Sequence, residues 1–451
     1  MRKRYAVVGT GGRSWMFMEA IASTWKENAE LAGICDVSPA RMAYGNRRLA
    51  GHCGHPPVPA YPAADFDRMV EETRPDAVIV TTVDAFHHQY IIRAMELGKD
   101  VISEKPMTTD APKAKAIFGA IEKTGRKLAV TFNYRYMPGP TQMYDAIRDG
   151  SVGRPLAVDF SYVLNTTHGA DYFRRWHAEK RHSGGLLVHK STHHFDLVNW
   201  WIGSVPETVF ALGELKFYGK ANALARGDEK LTRYPRYTGH PEARDDPFAL
   251  FLDRAPEGDG AARAEAMRGY YLDAEADSGY IRDANVFSDR ITIEDTMAVA
   301  ARYRNGVIFN YSLLAYSPWE GFRASVTGDR GRLELFERHG SHIIAGQSDG
   351  ELAAEQAMGA ERRLTHYPMF GAPREIAIPT PEGGHGGGDP LLLEQLFSPN
   401  PPADPRKRAA SHMDGAASIM MGVAANESIR TGQPTRVDDL FPLGEPPCDG
   451  R

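Results

Sequence analysis

The sequence predicts an α/β protein in two parts. An N-terminal doubly wound parallel sheet spans residues 1–132, and a C-terminal α/β domain with a largely antiparallel open sheet spans residues 133–451. Three observations support this. A β-rich run, Tyr5–Val8, breaks directly into Gly9-Thr10-Gly11-Gly12-Arg13-Ser14. As far as Phe132, short apolar runs alternate with helical patterns, the signature of β-α-β units. Beyond Asn133 the strands alternate polar and apolar residues, as in a sheet with one covered face.

The elements of the first part follow in order. After Tyr5–Val8, the glycine-rich turn and a helix over Trp15–Trp25 present backbone amides and a helix N-terminus, which suits a pyrophosphate. Gly9, Gly11, Gly12, Arg13 and Ser14 are therefore candidate cofactor residues, with Ser14 standing where such turns favour Gly or Ala. The next strand, Leu31–Cys35, ends in Asp36, placed to accept hydrogen bonds from adenosine ribose hydroxyls. An acid there repels a 2′-phosphate and favours NAD over NADP. Helices over Pro39–Leu49 and near Phe66–Thr73 lead to Ala77–Thr82, a continuous apolar strand of the kind buried in parallel sheets. Its carboxyl end delivers Thr82 and, soon after, His87 to the edge where open α/β sheets bind ligands. A helix over His88–Leu97 closes with Gly98. The strand Asp100–Ser103 then brings Glu104-Lys105-Pro106 to the same edge, and the proline stops it. A helix over Pro112–Lys123 and a strand over Leu128–Phe132 complete the alternation.

In the second part, Asn133-Tyr134-Arg135-Tyr136-Met137-Pro138 precedes a helix over Pro140–Arg148. Strands are expected at Leu156–Tyr162, Thr208–Leu215, Asp295–Tyr303, Val307–Leu314, Arg323–Thr327 and Leu333–Phe336. Between the first two, Gly184-Gly185 opens an apolar run that reads as one helix through Trp201. On such a helix His189, His193 and Asp196 share a face, while Lys190 and His194 turn to a neighbouring side. Three titratable groups on a buried helix are costly unless they are paired or used. A structural role for the histidines is the plain alternative. Zinc is disfavoured because Lys190 stands where a metalloprotease helix carries Glu, and no metal is expected.

Residues 219–290 are charged, punctuated by Gly and Pro and weakly periodic, as a lid, substrate loop or oligomer arm would be. The run Gly383 to Asp389 sets His385 among glycines, which suits close approach to a ligand. A helix over Met413–Arg430 comes last.

Composition excludes several classes. A net charge of -5 over 451 residues leaves no electrostatic case for nucleic acid. No apolar run approaches membrane-spanning length, and the first strand begins within a few residues of Met1, so a cytoplasmic protein is expected. The three cysteines fit neither a disulfide framework nor a zinc knuckle.

With the glycine turn, Asp36, Glu104-Lys105-Pro106 and the 184–196 run in hand, the chain resembles the Gfo/Idh/MocA family over nearly its whole length outside 219–290. The resemblance implies an N-terminal Rossmann domain, a C-terminal α/β domain whose open sheet commonly forms homodimers or homotetramers, and NAD as cofactor. It also implies that Lys105 contacts substrate and nicotinamide. His193 matches the family's catalytic histidine and Asp196 the acid behind it. His189 replaces the usual Asp, and Lys190 adds a second amine. The segment holding Tyr134 and Arg135 matches one that lines the family's site; with Asp196 and His385 these are the candidate substrate contacts.

Oxidation of a carbinol sends hydride to nicotinamide while a base takes the hydroxyl proton, and a base titrating near neutrality serves best. Histidine does so unassisted, which makes His193 the leading base, with Lys105 orienting the hydroxyl and His189 and Lys190 next in line. The expected activity is NAD-dependent oxidation or reduction at a hydroxyl carbon of a sugar, sugar derivative or cyclitol. A second reading is a glycoside hydrolase that uses NAD transiently through oxidation, elimination, hydration and re-reduction. A third is a cofactor-sensing binding protein, for which the pairing of Lys105 with His193 would have no use.

Overall fold

The computed structural model describes residues 2–254, 260–340, 343, 359–380 and 385–444. It divides into two compact units. The first contains Met1–Thr131, Leu250–Asp283 and Pro390–His412; the second contains Phe132–Ala249, Ala284–Asp389 and Met413–Arg451. The leading segment thus ends at Thr131, beside the boundary expected at 132, but the chain returns to the first unit twice. The 219–290 insertion is shared between the units.

In the first unit six parallel strands, β1 (Lys3–Val8), β2 (Ala29–Asp36), β3 (Ala60–Pro62), β4 (Ala77–Val80), β5 (Asp100–Ser103) and β6 (Leu128–Val130), take the order β3–β2–β1–β4–β5–β6. The short strand Ala410–Ser411 adds antiparallel to β6. All four residues of β4 are buried, as expected of an apolar strand covered on both faces. Helices α1 (Ser14–Ala22), α2 (Pro39–Cys53), α3 (Phe66–Thr73), α4 (His87–Glu96) and α5 (Ala111–Thr124) alternate with the strands. Tyr5, Val7, Phe17, Ile21, Leu31 and Ile79 belong to its core. Strand order reverses direction between β1 and β4, the point at which open sheets of this kind bind ligands.

The insertion is less irregular than its composition suggests. Ala261–Tyr270 is helical, and Tyr270 packs edge-on against Tyr44 of α2 with ring centroids 4.7 Å apart. Apolar and aromatic anchors at Tyr270 and Gly269 outweigh the weak local pattern, because burial against α2 decides the conformation.

In the second unit β7 (Pro155–Asn165), β8 (Pro206–Glu214), β9 (Thr296–Tyr303), β10 (Ile308–Ser317), β11 (Gly321–Gly328), β12 (Gly331–Arg338), β13 (Glu361–Pro368) and β14 (Arg374–Ile376) are ordered β14–β13–β12–β11–β7–β10–β9–β8, with Thr435–Arg436 beyond β8. Every pairing is antiparallel except β7 with β10. β9 alternates buried and exposed residues along its length, so one sheet face is covered and the other is open. The covering helix Thr192–Ile202 is buried at every position, with Phe195 edge-on to Tyr311 and Trp201 donating to the Pro140 carbonyl.

Candidate active site

In the first unit the glycine turn is shaped by the strands beneath it. Gly9 has φ 86°, and a Cβ there would lie 2.6 Å from the Thr82 amide nitrogen, so β1 and β4 converge too tightly for any other residue. Gly11 faces open space: nothing lies within 4 Å of where its Cβ would stand. The α1 N-terminus has no side-chain cap. An open glycine turn leading into an uncapped helix fits a dinucleotide pyrophosphate. Ser14 is buried and returns its hydroxyl to the Gly11 carbonyl at 2.7 Å, which braces the turn from within.

Asp36 is also buried and organises the turn. One carboxylate oxygen accepts from the Thr10 amide (2.6 Å) and hydroxyl (3.1 Å); the other accepts from the Ser38 amide (2.9 Å) and Arg41 (2.8 Å). At the ends of β4 and β5, Arg13 pairs with the buried Glu104 at 2.6 Å, and Glu104 also accepts from the Lys105 amide. His87 faces the carbonyl oxygens of Pro106 (2.8 Å) and Thr82 (3.1 Å), and burial pushes its pKa down. A neutral ring donates to one of these carbonyls, and it packs between the two strand ends at the edge where Lys105 and Thr82 stand.

The second unit corrects the expectation of one continuous helix. Leu186–His189 forms a single turn, the chain breaks at Lys190-Ser191, and Thr192–Ile202 begins anew. His193 donates its amide to the Lys190 carbonyl, three residues back, instead of to His189. The Ser191 hydroxyl shares a hydrogen bond with Tyr311 and the Thr192 hydroxyl one with Ser418, each 2.9 Å long. These two bonds tie the break to distant parts of the unit.

The break separates the residues expected on one face. The His193 ring stacks on Tyr134, 4.2 Å between centroids and 17° between planes. Lys190 is buried, donates to the Tyr134 hydroxyl at 3.3 Å and lies 4.8 Å from the Tyr162 ring centroid. His189 instead meets His177 at 4.2 Å, with Tyr172 and Trp176 beyond. Asp196 accepts twice from Arg135, at 2.8 and 2.6 Å, and Arg135 also reaches Asp414 at 2.8 Å. Both partners are buried, and the pair fixes the Tyr134 turn against the helix. Burial pushes the Asp196 carboxyl up against the pull of Arg135.

Several site residues escaped the sequence reading. Glu320 accepts from Tyr162 at 2.9 Å and lies 2.9 Å from His168, whose other ring nitrogen is 3.2 Å from the Tyr172 hydroxyl. Burial alone would raise the Glu320 carboxyl, but His168, His339 and Lys190 hold it well below the usual range. Burial would likewise lower the Lys190 ammonium, yet Tyr134, Tyr172 and Glu320 hold it above the usual lysine value. The available signal was the polar run Asn165-Thr166-Thr167-His168 directly after a predicted strand. The glycine-rich run does make a close approach, but to backbone: a Cβ on Gly388 would lie 2.4 Å from the Asn133 carbonyl oxygen, and Asn133 donates to Asp389 at 2.7 Å. The side chain of His385 lies outside the described residues.

Residues 3–132 match the NAD-binding Rossmann fold of an oxidoreductase family, and residues 145–437 match that family's C-terminal alpha/beta domain. The chain belongs to the Gfo/Idh/MocA oxidoreductase family. YteT of Bacillus subtilis (strain 168), named as an oxidoreductase, is 35% identical over 98% of this chain and 99% of its own length. An inositol 2-dehydrogenase of Rhizobium meliloti (strain 1021) is 26% identical over 47% of this chain and 58% of its own. The WlbA dehydrogenase of Bordetella pertussis, solved with NADH and UDP-GlcNAcA, has the same fold, with a TM-score of 0.62 at 18% identity over 96% of this chain and 97% of its own. The first unit is thus an NAD-binding Rossmann domain of an oxidoreductase. Among the described residues no helix is long and apolar enough to cross a membrane.

Proposed function

We propose that the protein moves a hydride between NAD and a hydroxyl-bearing carbon of a sugar, sugar derivative or cyclitol. The observation that supports this best is the buried Tyr134–His193–Lys190 group, which places an imidazole on an aromatic platform beside a permanent cation. When bound, NAD supplies the hydride acceptor. His193 takes the proton from the substrate hydroxyl. Lys190 keeps its own proton and, through Tyr134, stabilises negative charge that develops on the oxygen. Lys105 orients the hydroxyl. Inositol and sugar substrates are named for relatives, which favours polyhydroxylated compounds. The open face of the second sheet is proposed as the surface for self-association into dimers or tetramers.

The relatives named as inositol dehydrogenases and as sugar reductases favour redox chemistry, and no observation here favours the hydrolytic cycle. Incubating the NAD-loaded protein with a panel of cyclitols, aldoses and glycosides tests the proposal. NADH should accumulate mole for mole with a ketone or lactone. Release of free sugar with no net absorbance change at the NADH band would overturn it.

A further inference from the structure

The returning segment Leu250–Asp283 contacts both the start of α2, beside the ribose-binding strand end, and the glycine turn. Its Asp277 places one carboxylate oxygen 2.7 Å from the Ser38 hydroxyl and 3.0 Å from the Ala40 amide. Ser38 is the N-cap of α2, two residues beyond Asp36, and Ala40 lies in the first turn of that helix. The Tyr271 hydroxyl lies 2.8 Å from where a Cβ on Gly12 would stand, so the same segment also rests on the glycine turn.

At this strand end a dinucleotide presents either a 2′-hydroxyl or a 2′-phosphate. The donors that would hold the phosphate are all present: the Ser38 hydroxyl, the Ala40 amide and the Arg41 guanidinium. Each is committed within the chain. Ser38 and Ala40 donate to Asp277, while Arg41 donates to Asp36 at 2.8 Å and to the Tyr270 carbonyl at 3.0 Å. Asp36 is 5% exposed, and its two oxygens already accept four hydrogen bonds, whereas Asp277 is exposed. The carboxylate that an incoming 2′-substituent meets first is therefore the one the insertion supplies.

We propose that Asp277 is a specificity-determining residue of the dinucleotide site, its carboxylate taking the anion position at the start of α2 and excluding the 2′-phosphate of NADP. Selectivity of this kind needs a repulsive element as well as an attractive one. Filling the donors removes the attraction for phosphate, and the negative charge adds repulsion. The inference rests on NAD binding by the first unit, and it makes the insertion part of the cofactor site.

Tryptophan quenching with NAD and NADP on the full chain tests it, comparing native protein with Asp277→Asn and Asp277→Glu. Asparagine keeps the shape and removes the charge; NADP affinity should rise roughly tenfold or more while NAD affinity stays within about twofold. The gain should shrink in high salt. Glutamate keeps the charge and should keep the native preference. An unchanged NADP-to-NAD ratio in the asparagine variant, or equal weakening of both dinucleotides in both variants, would reduce Asp277 to a structural tie and overturn the proposal. Failure of the native protein to bind NAD would instead overturn the cofactor reading itself.

Discussion

His193 and Lys190 both contact Tyr134, but their chemistry differs. The phenols and carboxylate around Lys190 hold its ammonium above the usual lysine value, which favours charge stabilisation over proton abstraction. As the proposed base, His193 should be worth about 10²–10⁴-fold in turnover when replaced by Ala. Lys190→Met should lower turnover by a smaller factor, because it removes charge stabilisation and leaves the base in place. NAD affinity, followed by quenching, should hardly change in either variant. Near-native turnover in the His193 variant would move the base elsewhere.

Positions on a helix predict neighbours only while the hydrogen-bond ladder runs unbroken, and at Lys190-Ser191 it does not. The broken geometry is held from outside as well. Gly422, on the helix His412–Thr431, lies so close to the 186–189 turn that a Cβ there would come 2.3 Å from the Leu187 carbonyl oxygen. Gly422→Ala has to push two backbones apart, a form of overpacking that costs about 1–3 kcal/mol. Denaturant unfolding should show that loss, and kcat should fall because the turn carrying His189 and Lys190 shifts. Native stability together with native kcat would show that this contact does not set the site.

At the scale of the whole molecule, pH dependence should centre on Glu320, which links β7 through Tyr162 to the helix Thr166–Arg174 through His168. Its carboxyl is held below the ordinary range, so the stability it contributes is fully present above the unfolded value of about 4.3 and is lost as pH falls through the folded value. Glu320→Gln should destabilise the protein by about 3 kcal/mol at pH 7, because it leaves the buried Lys190 ammonium without its neighbouring carboxylate. The gap between native and variant unfolding temperatures should narrow on acidification below about pH 4. A gap independent of pH would show that the charge of Glu320 is not what stabilises the unit.

Much of this protein was legible in one dimension. The turn from Gly9 to Ser14, the glycine closing α4, the strand-stopping Glu104-Lys105-Pro106 and the switch from buried to alternating strands depend on residues close together in sequence, where propensity and periodicity act. His193, Lys105 and Asp36 were singled out as candidates the same way. The helix break was not, because nothing local marks Lys190-Ser191 as a stop, and the partners that hold the break, Tyr311 and Ser418, lie more than a hundred positions away. That Arg135 and Asp196 form a buried pair was not legible either, because 61 positions of sequence lie between them. The insertion read as a loose arm, and only tertiary structure set Asp277 against Ser38 across 239 positions of sequence. Local chemistry determined which elements form; hydrogen bonds and ion pairs between distant residues decided which side chains remain available for function.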